Sequence, residues 1–235
     1  MKNQFLLLLA ILFSSLTSSA QIQNTRNTTD LLSIRRVASN EILYGKPVPG
    51  GEIIGSTYLE EEWSKGELTF NNGEKLTHAK VRYDIEMDQF QILIDNGKAI
   101  NQYEGFDVKE VLFTRDSKTR KFIYCRSCDS SLSAILFEEI IDGNLGLLKR
   151  TELSVKDPTY IAAKDMGDRN AYILKKQSLY MKSGDKLTKL TKNNNWNLSK
   201  FPDKQKEMKS YASKNKLKFK EESDLVKLIN YYNSI

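Results

Sequence analysis

The chain has one histidine, His78, two cysteines, Cys125 and Cys128, and no arginine from Tyr172 to its end. Each scarcity narrows the chemistry. A single histidine cannot supply a His-Glu-x-x-His zinc helix, and no Gly-x-Ser-x-Gly elbow offers it a serine to activate. Placed between Thr77 and Ala79 beside an alternating segment, His78 reads as a strand-edge residue, not a general base. Two cysteines fall two ligands short of a tetrahedral zinc site, and only His78 and carboxylates remain to complete it. No metal or cofactor motif is legible, so none is expected. After Phe13 no apolar run approaches the roughly twenty residues that cross a hydrocarbon core, so a spanning helix is not expected once the N-terminus is processed.

The N-terminus itself is distinctive. Met1-Lys2-Asn3-Gln4 carries positive charge, Phe5 to Phe13 is apolar throughout, and Ser14 to Ala20 is small and polar. Ser18 and Ala20 stand at −3 and −1 before Gln21. This order predicts a cleavable secretory leader over residues 1–20 and a periplasmic or extracellular protein. Residues 21–50 then form a polar lead. Within it, Asp30 to Tyr44 fits a helical face only through Leu31, Ile34, Val37 and Ala38.

Net charge is +6, distributed unevenly. From Tyr172 to Ile235 there are fifteen lysines and six acids, a balance of +9; removing that and Lys2 leaves −4 for residues 21–171. A lysine face this strong suits solvent or an anionic surface. Export removes the chain from nucleic acid, and lysine lacks the planar fork that reads phosphate in a bidentate way.

Residues 51–192 read as short strands. Asn71-Asn72-Gly73, Asp95-Asn96-Gly97, Asp142-Gly143-Asn144 and Ser183-Gly184-Asp185 are turn signals, because asparagine and glycine tolerate the positive φ of tight hairpins. Between Lys80 and Met87 the residues Val81, Tyr83, Ile85 and Met87 alternate with charged ones, and Phe90, Ile92 and Ile94 continue the phase. The pattern predicts an antiparallel β-sandwich or partly closed barrel. Beyond Asn193 the period changes. Pro202 and Asp203 suit a helix start, and Met208, Tyr211 and Ala212 a narrow apolar face. A second helix from near Ser223 presents Leu225, Leu228, Ile229 and Tyr232. Residues 193–235 therefore read as a lysine-rich helical appendage of two short helices, each too short to be stable undocked.

Cys125-Arg126-Ser127-Cys128 lies at a strand handover. Zinc and thioredoxin-like redox chemistry lack their usual settings here, so in an oxidising compartment a local Cys125–Cys128 disulfide is the expectation, with two unpaired thiols the alternative. Glu60-Glu61-Glu62, Glu138-Glu139 and Asp165/Asp168 offer paired carboxylates, but adjacent acids on a strand face opposite ways, and Asp165-Met166-Gly167-Asp168 has too few oxygen donors for calcium. No catalytic residue is assigned. Trp63, before the Ser64-Lys65-Gly66 turn, and Trp196, in the polar Asn193-Asn194-Asn195 link, are the candidate binding surface, with a plug between appendage and domain the favoured reading of Trp196.

The ending from Leu179-Tyr180-Met181-Lys182 through Phe201-Pro202-Asp203-Lys204 to Leu228-Ile229-Asn230-Tyr231-Tyr232-Asn233, with Gly55-Ser56-Thr57-Tyr58-Leu59 and Val81-Arg82-Tyr83-Asp84, resembles small exported β-rich proteins of Bacteroidota-type bacteria. The resemblance implies a β-rich fold, C-terminal helices and an envelope setting, and no particular chemistry. The expected function is a non-catalytic envelope module that binds another envelope protein or an anionic surface. The alternative is an enzyme acting on envelope carbohydrate or peptide. A pore-forming barrel fits poorly, since Lys80, Arg82, Asp84 and Glu86 would charge its lipid face.

Overall fold

A computed structural model describes residues 48–93, 99–101, 108–125, 135–191, 193, 197–201 and 203–235. The leader, almost all of the polar lead, the Asp95-Asn96-Gly97 turn, Cys128, Trp196 and Pro202 lie outside the described residues. The fold is mainly β, with two helices at the C-terminus.

Eleven strands form one sheet: β1 (Ile53–Ile54), β2 (Ser64–Phe70), β3 (Lys75–Asp84), β4 (Gln89–Leu93), β5 (Ala99–Asn101), β6 (Val108–Arg115), β7 (Lys118–Cys125), β8 (Ile135–Ile141), β9 (Gly146–Lys156), β10 (Ala171–Ser183) and β11 (Lys186–Lys189). Their order is β1-β10-β9-β8-β7-β6-β2-β3-β4-β5, with β11 on the same edge of β10 as β1. Every pair is antiparallel except β1 with β10, which run parallel. The ladder does not close on itself.

The sheet nevertheless rolls. Phe90 on β4 and Phe122 on β7 are four strand spacings apart, about 19 Å in a flat sheet. Their ring centroids are 5.3 Å apart. Tyr83, Phe90, Phe113 and Phe122 meet in one aromatic cluster at the centre of the first core, with Leu68, Val81, Val111 and Leu136 around them. Three register shifts drive the curvature, since an extra residue bends its strand and sharpens its twist. One is at Lys109, which lets both Val108 and Val111 face the core despite their odd spacing. Another holds His78 on β3 in the left-handed region at φ 57, exposed. Histidine is among the residues that tolerate that region.

Side chains fasten the roll where backbone pairing does not. The alternating pattern extended a single strand to Met87, but the chain turns over Ile85–Asp88, with the Asp84 carboxylate accepting the N–H groups of Glu86 and Met87. At the end of that turn Asp88 accepts hydrogen bonds from the Tyr83 hydroxyl at 2.7 Å, Arg150 of β9 at 3.1 Å and the Leu136 N–H of β8 at 3.3 Å. Burial and then the adjacent Asp88 carboxylate push the Tyr83 phenol well above its ordinary range, so it remains a donor.

Two helices, α1 (Gln205–Lys214) and α2 (Glu222–Ser234), pack on the other end of the same sheet. Met208 and Ala212 of α1 and Leu225, Leu228 and Ile229 of α2 share a second core with Leu145 and Leu147 by β9 and Met181 of β10. Between the two cores runs a charged seam. Arg120 holds Glu138 through two bonds of 2.8 and 2.7 Å, and Lys149 reaches Glu138 at 3.7 Å and Glu222 of α2 at 2.8 Å. Among the described residues no helix is long and apolar enough to cross a membrane.

Candidate binding surface

The β9–β10 connection, residues 157–170, folds back on itself as a braced hairpin. Thr159 N–H donates to Asp168 O at 2.9 Å and Ile161 N–H to Met166 O at 2.8 Å, around a single 3-10 turn at Ala162–Lys164. Gly167 has φ +101, and a Cβ there would come within 2.3 Å of Thr159 O, so only glycine fits. Arg169 is the hub. Its guanidinium lies 3.9 Å from the centroid of the Tyr160 ring and donates to the Tyr160 hydroxyl, to Asp165 at 2.7 Å and to Pro49 O at 3.1 Å. Glu52 N–H donates to the Asn170 side chain and Ala171 N–H to Glu52 O, both at 3.0 Å. Segment 48–54 is thus tied to the hairpin along its length.

Two carboxylates serve this brace. The Tyr160 hydroxyl and then Arg169 hold Asp165 below the ordinary aspartate range; the Asn170 N–H and then the Tyr172 hydroxyl do the same for Asp168. A depressed folded-state value means the ionised form favours the fold, so the contribution is complete above the unfolded value and fades as pH falls through the folded one. Amide exchange across residues 157–170 is expected to show unchanged protection down to about pH 4, then loss on further acidification before the sheet amides follow. Equal loss in hairpin and sheet would count against the brace.

The brace displays apolar side chains. Ile161 and Met166 are paired across the hairpin and are 52% and 65% exposed, and Ala162 and Ala163 between them are also exposed. Of the seven large apolar side chains that the described residues expose, five lie at this end of the sheet: Ile53, Ile54, Ile161, Met166 and Leu174. The charges here cancel, with Lys156, Lys164, Arg169, Lys175 and Lys176 against Glu52, Glu152, Asp157, Asp165 and Asp168. A neutral apolar tip on a fixed frame is an anchor that needs little ordering to bind. Its signal in the sequence is Ile161-Ala162-Ala163 before Gly167, a short apolar run interleaved with the carboxylates Asp165 and Asp168.

Trp63 is half-buried against the chain itself. With Tyr58 it sandwiches Arg82, whose guanidinium carbon is 3.6 Å from the Tyr58 centroid and 4.6 Å from that of Trp63. The same guanidinium donates to Gln91 at 2.8 Å and Glu61 O at 3.3 Å. Trp63 therefore braces the segment before β2 onto β3. Cys125 ends β7, buried, and borders a cleft of about 250 Å³ with Tyr124, Lys109, Lys182 and Asp185.

The acidic pairs are divided among cations. Glu138 meets Arg120 while Glu139, on the opposite face, meets Lys121 at 2.8 Å; Glu60 and Glu62 both reach Arg115. No family model matches this chain, and neither a curated protein nor a solved structure is significantly similar to it.

Proposed function

We propose that this is an exported envelope protein, non-catalytic, that grips a partner protein through the apolar tip of the β9–β10 hairpin. The observation that carries this reading is the combination at one place of exposed Ile161 and Met166 with the Tyr160–Asp165–Arg169 brace. A surface loop with no partner gains nothing from holding apolar side chains rigidly in water, whereas a binding loop loses less entropy on docking. The leader-like residues 1–20 supply the address, and the resemblance to small exported β-rich proteins agrees with it. In that compartment Cys125 and Cys128 form a local disulfide, which thiol labelling of the native protein reads directly.

The test is site-specific photo-crosslinking from position 166 in intact cells. One discrete adduct is expected, abolished by Ile161→Asp. Those exposed substitutions leave the melting temperature nearly unchanged. Absence of any adduct, or an adduct indifferent to Ile161→Asp, would remove the tip from the reading.

A further inference from the structure

The sequence's charge asymmetry becomes a defined surface on the helical cap. Helix α1 turns Met208 and Ala212 inward and leaves Lys206, Lys209 and Lys214 exposed. The turn that follows alternates: Leu217 and Phe219 join the second core, while Lys216, Lys218 and Lys220 remain exposed. Six lysines thus stand against one acid, Glu207, in residues 205–220. None of the six makes an ion pair among the described residues. The sheet behaves differently, since Arg115, Arg120, Lys121, Lys149 and Arg150 each hold a carboxylate. The nearby Asp224 is engaged, accepting the backbone N–H of Lys218 and the ammonium of Lys227. Lys214 and Lys216 also lie at the C-terminal end of α1, where the helix dipole favours cations. That accounts for two of the charges, Asp224 stands beside a third, Lys218, and Lys206, Lys209 and Lys220 are left without a local role.

We propose that this face docks on the phosphate groups of an anionic lipid bilayer. Three features favour a bilayer over a threaded polymer. The face is convex, being the outer side of a helix and the turn after it, so it suits a broad array of headgroups. It uses only lysine, a hydrated point charge on a flexible stem, which follows an irregular array without fixed bidentate geometry. Its apolar neighbours point into the fold, so contact is electrostatic and without insertion, unlike an interfacial amphipathic helix. Strand β10 then acts as a spacer. From Tyr172, beside the apolar tip, to Met181, beneath the helices, it spans nine rises, about 30 Å. A cap resting on the membrane holds the tip well clear of it.

The experiment is co-sedimentation of the purified protein with vesicles of about one-third phosphatidylglycerol in phosphatidylcholine. At low salt the protein is expected to bind these vesicles, to ignore pure phosphatidylcholine, and to be released as ionic strength rises. The variant Lys206→Gln, Lys209→Gln, Lys220→Gln is expected to bind about a hundredfold more weakly, near fivefold per lysine. Lys156→Gln at the end of β9 with Lys176→Gln in β10, neither on the helical cap, should leave binding unchanged. All variants carry the same N-terminus, so any leader contribution cancels, and a thermal melt of each confirms the fold. The proposal is overturned if the wild-type protein ignores anionic vesicles, if the triple variant binds as well as wild type, or if soluble inorganic polyphosphate binds while vesicles do not. Ile161→Asp should not affect vesicle binding, so this surface and the tip stand or fall separately.

Discussion

Phe90→Ala is expected to lower stability by about 3–5 kcal/mol, the range for deleting a buried aromatic ring. The position magnifies the usual cost. Phe90 is fully buried and touches Tyr83, Phe113 and Phe122, which come from three other strands. Tyr83 is its direct partner on β3, but Phe113 and Phe122 reach it only because the sheet rolls, so the cavity opens in the packing that fills the curve. Urea denaturation should show a lower midpoint, and a reduced m-value would mean that the native roll has loosened as well. An exposed control on the same strand pair, Leu76→Ala, should cost well under 1 kcal/mol, as is usual for surface changes. A Phe90→Ala protein as stable as wild type would contradict the packed roll.

Glu138→Ala should cost a similar amount for a different reason. The Glu138 side chain is only 9% exposed, and it is held by Arg120 and Lys149. Removing it leaves two largely desolvated cations facing each other with only Glu60 and Glu222 at the margins. Breaking one partner out of a buried pair typically costs about 3–5 kcal/mol, although replacing the whole pair by apolar residues can cost little. The double variant Glu138→Leu, Arg120→Leu is therefore expected to recover much of the loss. Glu62→Ala, which frees Arg115 from an 81% exposed partner, should change stability by less than about 1 kcal/mol. If Glu138→Ala and Glu62→Ala behaved alike in urea, the seam would be ornamental to stability.

Much of this fold was legible because its signals are local. Asn72-Gly73 and Gly184-Asp185 turn where expected, Val81 and Tyr83 face the core, and Leu225, Leu228 and Ile229 bury the face that their spacing defines. The Ile85–Asp88 turn was hidden because Ile85 and Met87 keep the strand's period while Asp84 bonds to the backbone two and three residues on. Turn chemistry outweighed periodicity there. The register shifts at Lys109 and His78 leave no single-residue mark, so the pattern could not distinguish a rolled sheet from a sandwich. The apolar tip was hidden for another reason. Its apolar residues are few, and one of the Arg169 bonds that fix the hairpin in place runs to Pro49, 120 positions away.

That distance orders the folding of the molecule. Strands β6 to β11 pair in succession, each with its neighbour in sequence, so they close short loops and form early. The β1–β10 pair and the Arg169–Pro49 bond close a loop of well over a hundred residues, whose entropy is recovered only after the intervening strands are in place. The tie from Arg169 to Pro49 is therefore among the last contacts to form, although the bonds among Tyr160, Asp165 and Arg169 are local, and a chain that has not docked residues 48–54 lacks it. The surface offered to a partner is, in effect, a certificate of completed folding.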